Sequence, residues 1–281
     1  MIKYQGQAIK LGAMGWAGII ILGFFLFLAL AAGILAPYGV GEQVDASFLT
    51  PSQQYLLGTD DLGYDILSLL IWGTRISLLI GISAALLGVG GGVIYGMIAG
   101  YGGGIIDRVL MRVSDIFQSL PSIPLFILIA AYAGSSIRNI ILIIAIFAIP
   151  RTGRIIRGQV VSLKQNAYIQ AAGMFGGSSL YLMKRHFIPE LLPLVFTALI
   201  EMAGKAILME SGLAFLGIGD PGSKSWGMIL HYALEYSSTY LTSAWIWWVM
   251  PPALCIALLC VSFALLGFAL EDTADPRLRE M

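Results

Sequence analysis

The sequence predicts an all-α fold, a polytopic membrane bundle of six transmembrane helices. Of the 281 residues, 58% are hydrophobic and only 11% are charged, whereas soluble domains average about 45–50% apolar and about 25% charged residues. A chain with so few charged side chains cannot cover its own apolar surface, so lipid must cover it. The hydrophobic residues also form runs long enough to cross a bilayer.

The first run, Met14–Ala36, contains 23 residues. The apolar region of a cleaved signal peptide has only about 7–15 residues, whereas about 20 residues of helix cross the hydrocarbon core. We therefore interpret this run as a retained span. Three further runs with almost no charge are typical of spans: Ile76–Ile98, Val109–Ala133 and Trp245–Leu270.

Two other spans are weaker in the sequence. Only 12 residues, Asn139–Pro150, separate two arginines, and as a helix they reach about 18 Å. This span is expected to continue past arginines that recur every third residue and could snorkel from one face: Arg151, Arg154 and Arg157. The other weak span, Leu191–Leu216, is long enough but contains three charged residues: Glu201, Lys205 and Glu210.

The distribution of lysine and arginine predicts the orientation. With the N-terminus in the cytoplasm, three of the 16 cations lie outside, namely Arg75, Arg138 and Lys224, and Lys205 lies within a span. The other twelve lie inside: Lys3, Lys10, Arg108, Arg112, Arg151, Arg154, Arg157, Lys164, Lys184, Arg185, Arg277 and Arg279. This bias follows the positive-inside rule. We therefore predict six spans with both termini cytoplasmic.

A glycine-rich stretch, "GIGDPGSKSWG" at 217–227, has the ingredients of a phosphate-binding loop. A P-loop requires its lysine directly after the second glycine, but here Ser223 separates Gly222 from Lys224. The stretch also follows an apolar helix and is predicted to lie outside, away from cytoplasmic nucleotide. The sequence contains no other P-loop pattern, so the chain is not expected to hydrolyse ATP alone.

The longest cytoplasmic connection, about residues 151–185, contains "YIQAAGMFGGSSLYLMKRHFIPELLP" in its second half and beyond. The small residues Ala171, Ala172 and Gly176 predict a short helix with one shallow side, against which a partner can lie closely. Gly176 and Gly177 predict a turn, and Pro189 is expected to open the next helix, where its missing N–H costs nothing. A loop of this length in a compact protein is usually functional.

This segment resembles the EAA loop of ATP-binding-cassette (ABC) importer permeases. The family pattern is E-A-A, three residues, glycine, nine residues, and then an apolar-x-apolar-proline ending, which the peptide-importer branch commonly writes H-x-L-P-N. The chain reproduces the spacing with Gln170, Ala171, Ala172, Gly176, His186 and Pro189. Gln170 departs from the pattern by losing the charge of the usual glutamate, and Glu190 replaces the common asparagine.

Three more segments resemble the dipeptide/oligopeptide/nickel branch of this family. "LLGTDDLGYD", within residues 56–78, is similar to L-G-T-D-x-x-G-R-D, with Tyr64 in place of arginine. "LMESGLAFLGIGDPGSKSWG" (208–227) resembles the branch's E-x-x-L-S-F-L-G-L-G…P…W-G loop, with Ala214 in place of serine. "LEDTADPRLRE" (270–280) resembles its L-R-D-x-L-D-P-R-L ending. The matches are in order along nearly the whole chain.

The resemblance implies a type I ABC-importer permease fold, with residues 1–75 forming a first helix and an external segment. Residues 76–281 would form a five-helix core that carries the cytoplasmic coupling loop at about 151–185. The implied protein is a non-catalytic subunit in a prokaryotic inner or plasma membrane. Its implied partners are a second, paralogous permease, two ATPase subunits and an external substrate-binding protein. No nucleic acid partner is expected.

In this family ATP and Mg²⁺ are bound by the ATPase subunits, so no cofactor and no metal are expected in this chain. The implied cargo is a dipeptide or oligopeptide, with nickel or a nickel chelate as the alternative from the same branch. A rival from another class is an ion-coupled secondary transporter. The sequence shows no internal inverted repeat, which such transporters usually contain. An intramembrane enzyme is disfavoured because no span contains H-E-x-x-H or a paired aspartate motif.

Glu201 and Lys205 are the polar outliers within a predicted span. A charge at the centre of a membrane helix costs about 2.5–3.5 kcal/mol on insertion scales and usually faces a partner or a water-filled path. At positions i and i+4 the two side chains can pair with each other. Alternatively, they line the pathway at the interface with a second permease, where a zwitterionic peptide meets both charges. Glu210, which matches the family's glutamate, is a third candidate lining residue, near the outer mouth.

The remaining patterns carry less information. Glycines recur every fourth residue at 88, 92, 96, 100 and 104, which predicts close helix packing or a surface on which two halves of a transporter slide. Cys255 and Cys260 are expected to be packing residues, and His231 with Glu235 form at most half of a metal site. His186 is interpreted as structural.

Overall fold

The computed structural model describes residues 3–4, 7–8 and 12–274. Lys10, Arg277 and Arg279, which belong to the predicted cytoplasmic cations, lie outside the described residues, as does most of the C-terminal match at 270–280. Two short antiparallel strands, β1 (Lys3–Tyr4) and β2 (Gln7–Ala8), precede the helices. The rest of the described chain is a helical bundle.

Twelve α-helices occur among the described residues. They are α1 (Ala13–Leu35), α2 (Ile66–Gly102), α3 (Gly104–Ser119), α4 (Ser122–Ala133), α5 (Ile137–Leu163), α6 (Ala167–Met174), α7 (Ser179–Leu182), α8 (Ile188–Leu213), α9 (Trp226–Glu235), α10 (Ser237–Leu241), α11 (Trp245–Trp248) and α12 (Met250–Ala274). Two π-helical turns, Met183–Phe187 and Ala214–Ile218, flank α8. Five continuous helical segments are long and apolar enough to cross a membrane.

A sixth crossing is formed by α3 and α4, which meet at an angle of 92°. The α6 end of the bundle contains the C-terminal end of α2, because the Tyr101 hydroxyl lies 3.1 Å from the Ser179 oxygen. At the opposite end, called the α9 end, the Ile137 N–H donates to Asp220. Since α3 begins beside α2 at the α6 end and α4 leads to Ile137, the pair crosses the bundle once. The predicted span Val109–Ala133 is therefore present as two helices with a sharp bend between them.

Proline explains this bend. Pro121 lacks an N–H and disfavours helical geometry in the residue before it, and Leu120 is accordingly extended, with ψ of 137°. The predicted span Ile76–Ile98 lies within α2, which begins ten residues earlier, at Ile66. Asp65 caps this earlier start by accepting hydrogen bonds from the Ser68 N–H and hydroxyl, at 2.8 and 2.7 Å.

The tightest helix contact lies between α2 and α5, which run parallel. Successive glycines of α2 face successive positions of α5. A Cβ on Gly88 would lie 2.8 Å from that of Ala148, and a Cβ on Gly96 would lie 2.5 Å from the Gly153 carbonyl oxygen. At Gly100, Val160 atoms lie 2.9 Å from the same ideal position. The predicted packing by glycine is thus present at 88–100, but Gly104 lies outside it and opens α3 with a φ of +55°.

Three apolar clusters fill the bundle. The largest surrounds Trp226, whose ring nitrogen donates to the Leu70 carbonyl at 3.0 Å and whose ring meets Phe25 edge-on. A second lies between α4 and α5 around Phe126, and a third lies at the α6 end around Phe187. Cys255 and Cys260 pack at the edge of the first cluster and are not joined by a disulfide.

The segment between α1 and α2 explains the "LGTDDLGYD" stretch. Asp60 is 5% exposed, and its Oδ1 accepts the N–H groups of Leu62 and Tyr64 at 2.9 and 2.8 Å. Gly63 has a φ of +79°, and a Cβ there would lie 2.2 Å from the Asp45 carbonyl oxygen. Burial raises the pKa of Asp60 to about 6, against the lowering effect of these two hydrogen bonds. This stretch is therefore an ordered turn that leads into α2.

We predict that Gly96→Ala destabilises the protein. The added methyl group meets backbone atoms of α5 that cannot move independently, which typically costs about 1–3 kcal/mol. The measurement is the thermal unfolding midpoint of the purified protein in detergent. Gly90→Ala in the same helix is the control, because a Cβ there has no neighbour within 4 Å. Equal midpoints for the two variants would contradict the packing argument.

We also predict that Asp60 makes stability fall as the pH rises from 4 to 7. The folded state holds its proton up to a pKa of about 6, above the ordinary value of 3.8, so ionisation favours the unfolded chain. Asp60→Asn keeps a single side-chain oxygen that can accept both N–H groups, and it should stabilise the protein at pH 7 but not at pH 4. The measurement is the unfolding midpoint at both pH values, with Glu42→Gln, an exposed carboxyl in the same segment, as control. A gain that is equal at both values would count against this assignment.

Candidate functional site

The predicted coupling segment forms α6, which is anchored on one side and bare on the other. Ile169 is 4% exposed and packs in the cluster around Phe187, with Ala172 against its edge. The last residues of the helix point away from the bundle. Met174 is 85% exposed and Phe175 is 92% exposed. These two side chains are called the α6 tip below.

Gln170 lies at the junction between α5 and α6. Its side-chain amide donates to the carbonyls of Lys164 and Gln165, each at 3.4 Å, where α5 ends and its last carbonyls lack helical partners. The glutamate that is usual at this motif position has no donor when ionised. Gln170 therefore ties α6 to α5 in a way that a glutamate cannot.

Gly176 ends α6 in a Schellman motif. Its φ is +87°, a conformation that glycine adopts without strain. The Gly177 N–H donates to the Ala172 carbonyl at 3.0 Å and the Gly176 N–H to the Gly173 carbonyl at 3.1 Å. The spacing between the alanines and the glycine thus has a backbone cause, since the glycine must follow the last turn of the helix.

His186 lies in the π-helical turn and between two aromatic rings. The ring centres of Tyr168 and Tyr181 lie 5.9 and 5.8 Å from its own. Its Nε2 is buried without a hydrogen-bond partner in the part of the chain that the structure describes. Because Tyr168 belongs to α6, His186 links the turn to the coupling segment, which agrees with a structural role.

Pro189 lies in the first turn of α8, as predicted, but the chain before it is already helical from Ser179. A proline inside a helix cannot donate to the carbonyl four residues earlier and clashes with it. The chain widens just before Pro189, where the Ile188 N–H donates to Met183, five residues back. This π-helical turn accommodates the proline and lets α7 and α8 form one continuous segment.

Glu201 and Lys205 lie on an open groove between α8 and α12. The Lys205 Nζ donates to Glu201 Oε2 at 2.8 Å, and both side chains stay a little under half exposed. The groove has a volume of about 330 Å³. Its lining includes Gly204, Phe263, Gly267, Phe268 and Glu271 as well as the charged pair. The structure therefore contains the i, i+4 pair, and it places this pair on an accessible surface.

Glu210 lies elsewhere and is only 1% exposed. Its carboxylate accepts from the Ser225 hydroxyl at 2.6 Å and from the Ser211 hydroxyl at 3.4 Å. Ser225 in turn caps α9 by accepting the Met228 N–H at 3.3 Å. This geometry makes Glu210 a connection between α8 and α9, turned away from open space.

Two ion pairs between α3 and α5 were missed from the sequence. Arg157 donates to both oxygens of Asp107, with its Nε 2.9 Å from Oδ1, and Arg154 pairs with Asp115. All three arginines of α5 were expected to snorkel. Among the described residues, only Arg151 of the three is exposed and makes no ion pair. The only signal in the sequence was the pair of acids Asp107 and Asp115, eight positions apart. Their spacing does not indicate which helix they contact.

The remaining candidates have structural partners. The His231 ring nitrogen lies 3.1 Å from the Phe215 carbonyl oxygen, and no three His, Cys, Asp or Glu side chains of the described chain meet in a metal-binding group. In the glycine-rich stretch, Asp220 accepts the Gly222 N–H at 2.9 Å, and Lys224 lies over the rings of Tyr64 and Tyr232. The stretch is a turn that caps α9 and not a phosphate cradle.

Comparison with known proteins identifies the family of the chain. The family described as "binding-protein-dependent transport system inner membrane component" matches residues 92–280. The chain is 34% identical to the dipeptide transport system permease protein DppC of Bacillus subtilis, over 97% of this chain and 85% of that protein. It is 35% identical to the glutathione transport system permease protein GsiD of Pectobacterium atrosepticum, with 94% and 86% covered.

A third relative is the di/tripeptide transport system permease protein DppC of Pseudomonas aeruginosa, which is 35% identical over 98% of this chain and 91% of that protein. Both the family match and these identities cover most of the chain, including α6, α8 and α12. Membership in such a family implies an ATPase and a substrate-binding protein as partners. The chain belongs to the family of inner-membrane components of binding-protein-dependent transport systems, as a multi-pass transport permease subunit.

Proposed function

We propose that this chain forms half of the translocation pathway of an ATP-driven importer of dipeptides or oligopeptides. The relatives described above are named for dipeptides, di/tripeptides and glutathione, which favours peptide over nickel as the cargo. The other half of the pathway would be a second, related permease. Two ATPase subunits would bind ATP and Mg²⁺, and this chain would bind neither.

The observation that carries the proposal is the bare α6 tip. A phenylalanine that is 92% exposed has no contact to gain within its own chain, whereas its burial against another protein is worth about 1.5–3 kcal/mol. The tip also lies outside the apolar segments that are long enough to cross a membrane. We assign the tip to the cleft of an ATPase subunit, with Gln170, Ala171, Ala172 and Gly176 forming the coupling helix and its end.

Movement of α6 would reach the pathway through α5. Gln170 and Ile169 bind α6 to the end of α5 and the cluster beneath it. The glycine contacts then join α5 to α2, and the Asp107–Arg157 pair joins α5 to α3. These contacts would let a displacement of α6 shift three crossings together. Alternating access requires the partner to bind the two resulting states differently.

The orientation follows from the same assignment. The α6 end carries the cations of the predicted cytoplasmic side, including Arg108, Lys164 and Lys184. It would face the cytoplasm of a prokaryotic cell, with both termini on that side, and the α9 end would face the substrate-binding protein. The division into residues 1–75 and a core of residues 76–281 stays a prediction.

Glu201 and Lys205 are the residues we propose for the pathway. Their pair is exposed in a groove whose other lining is mostly apolar, with Glu271 as a further acid, and a peptide zwitterion carries one charge for each member of the pair. Glu210 does not share this surface, so we assign it to holding α9 in place. A second permease packed on α8 and α12 would convert the open groove into part of an enclosed path.

We predict that Phe175→Ala weakens the association with the ATPase subunits at least tenfold, which corresponds to about 1.4 kcal/mol. The measurement is the dissociation constant for purified ATPase subunit and the permease complex in nanodiscs. The control is Leu241→Ala, which truncates a side chain that is 86% exposed in the short helix α10 near the α9 end. If the two variants bound equally well, the α6 tip would not be the docking site.

We predict that Glu201→Leu/Lys205→Leu leaves the complex assembled but reduces peptide uptake to background. The matched control is the exchange Glu201→Lys/Lys205→Glu, which keeps an ion pair at the same positions. Uptake measured in vesicles separates two roles, because a merely self-neutralising pair would tolerate the exchange and a peptide-binding pair would not. Normal uptake by the double leucine variant would rule out the pathway role.

A further inference from the structure

The cytoplasmic loop has a charge pattern that the coupling role does not by itself require. From Ile116 to Pro189 the chain contains no aspartate and no glutamate. The same stretch carries seven cations. Arg138 precedes the apolar run Asn139–Pro150, and the other six follow it: Arg151, Arg154, Arg157, Lys164, Lys184 and Arg185. The stretch itself therefore carries charge of one sign, and any acid that pairs with it must come from outside residues 116–189.

Three of these cations are used inside the chain. Arg154 and Arg157 pair with acids of α3. Lys164 donates to the Tyr101 carbonyl at 2.9 Å and lies over the Tyr101 ring. Because these three cations already have partners within the chain, they are less available to a second protein than cations without such partners.

Lys184 and Arg185 differ from the others. Both side chains are exposed, and neither makes an ion pair with any described residue. They line an open groove of about 430 Å³ together with Ser178, Leu180 and Tyr181. The nearest acid along the chain, Glu190, is exposed in the first turn of α8 and forms no ion pair with them.

His186 packs the turn that carries these two cations against α6. His186 follows them directly and lies against Tyr168 of α6 and Tyr181 of α7. The π-helical turn that carries the cations is thereby packed on the coupling helix. Ser178, three residues after Phe175, lines the same groove as both cations, so the positive groove begins next to the apolar tip.

From this surface we infer that the ATPase cleft that receives α6 is an apolar socket with an acidic rim, and that Lys184 and Arg185 bind this rim. The inference rests on the proposed coupling role and specifies the partner's chemistry. Gln170 is compatible with such a rim, because it adds no negative charge to the segment that docks. Its amide instead donates to the end of α5.

Charges at the rim of an interface chiefly affect the association rate and its salt dependence, and salt screens exposed charges over about 10 Å at 0.1 M. The experiment measures the dissociation constant of the purified ATPase subunit for the permease complex in nanodiscs, at low and high NaCl. For the unmodified chain, binding should weaken with salt. Arg185→Glu should raise the dissociation constant at least tenfold at low salt and much less at high salt.

The matched control is Arg138→Glu, which makes the same change of charge at an exposed arginine at the α9 end. It should leave binding unchanged. Lys184→Gln/Arg185→Gln tests loss of charge without reversal and should give an intermediate effect with a smaller salt dependence. Gln170→Glu should weaken docking, and unfolding midpoints confirm that each variant is folded.

The outcomes separate the two proposals. Salt-independent binding, equal binding by Arg185→Glu and the unmodified chain, or tighter binding by Gln170→Glu would each overturn the acidic rim while leaving the coupling role intact. If the unmodified permease bound no ATPase subunit at either salt concentration, the coupling role would fail and this inference with it.

Discussion

The close contact between α2 and α5 is the constraint on which the rest of the structure depends. In lipid, helices gain little from burying apolar side chains, so their association depends on van der Waals packing of backbones that approach closely. At four positions of α2, glycine leaves out a side chain that would clash with α5. An ideal Cβ on Gly96 would lie only 2.5 Å from the Gly153 carbonyl oxygen. With α5 held along α2, its C-terminal end and α6 occupy a defined place at one end of the bundle.

Charged residues then determine what packs on this pair. Membrane helices tolerate few charges, and those present usually have partners. Asp107 and Asp115 bring α3 onto the arginines of α5, so ion pairs hold the first half of the broken third crossing. Glu210 plays the corresponding role at the other end, where its carboxylate holds the serine that caps α9. Most charges inside the bundle are therefore connectors.

The charges that are not connectors lie on the two surfaces that we propose for transport and coupling. Glu201 and Lys205 remain accessible in a groove, and Lys184 and Arg185 flank the bare α6 tip. An apolar tip beside unpaired cations is costly for an isolated chain and reasonable for a subunit whose partner covers it. A permease of a binding-protein-dependent transport system must receive energy through a surface that its own chain leaves uncovered. In this chain the α6 tip and the neighbouring cations are such a surface.

The sequence alone determined the class of the protein, the number of its crossings and the motif that forms α6. These depend on composition, on run length and on local backbone chemistry, such as the glycine that ends a helix with positive φ. The partners of Arg154 and Arg157, the burial of Glu210 and the π-helical turn before Pro189 were decided only by the tertiary structure. Each of these depends on which helices become neighbours, and a charge or a proline in a sequence does not name the atom that will satisfy it.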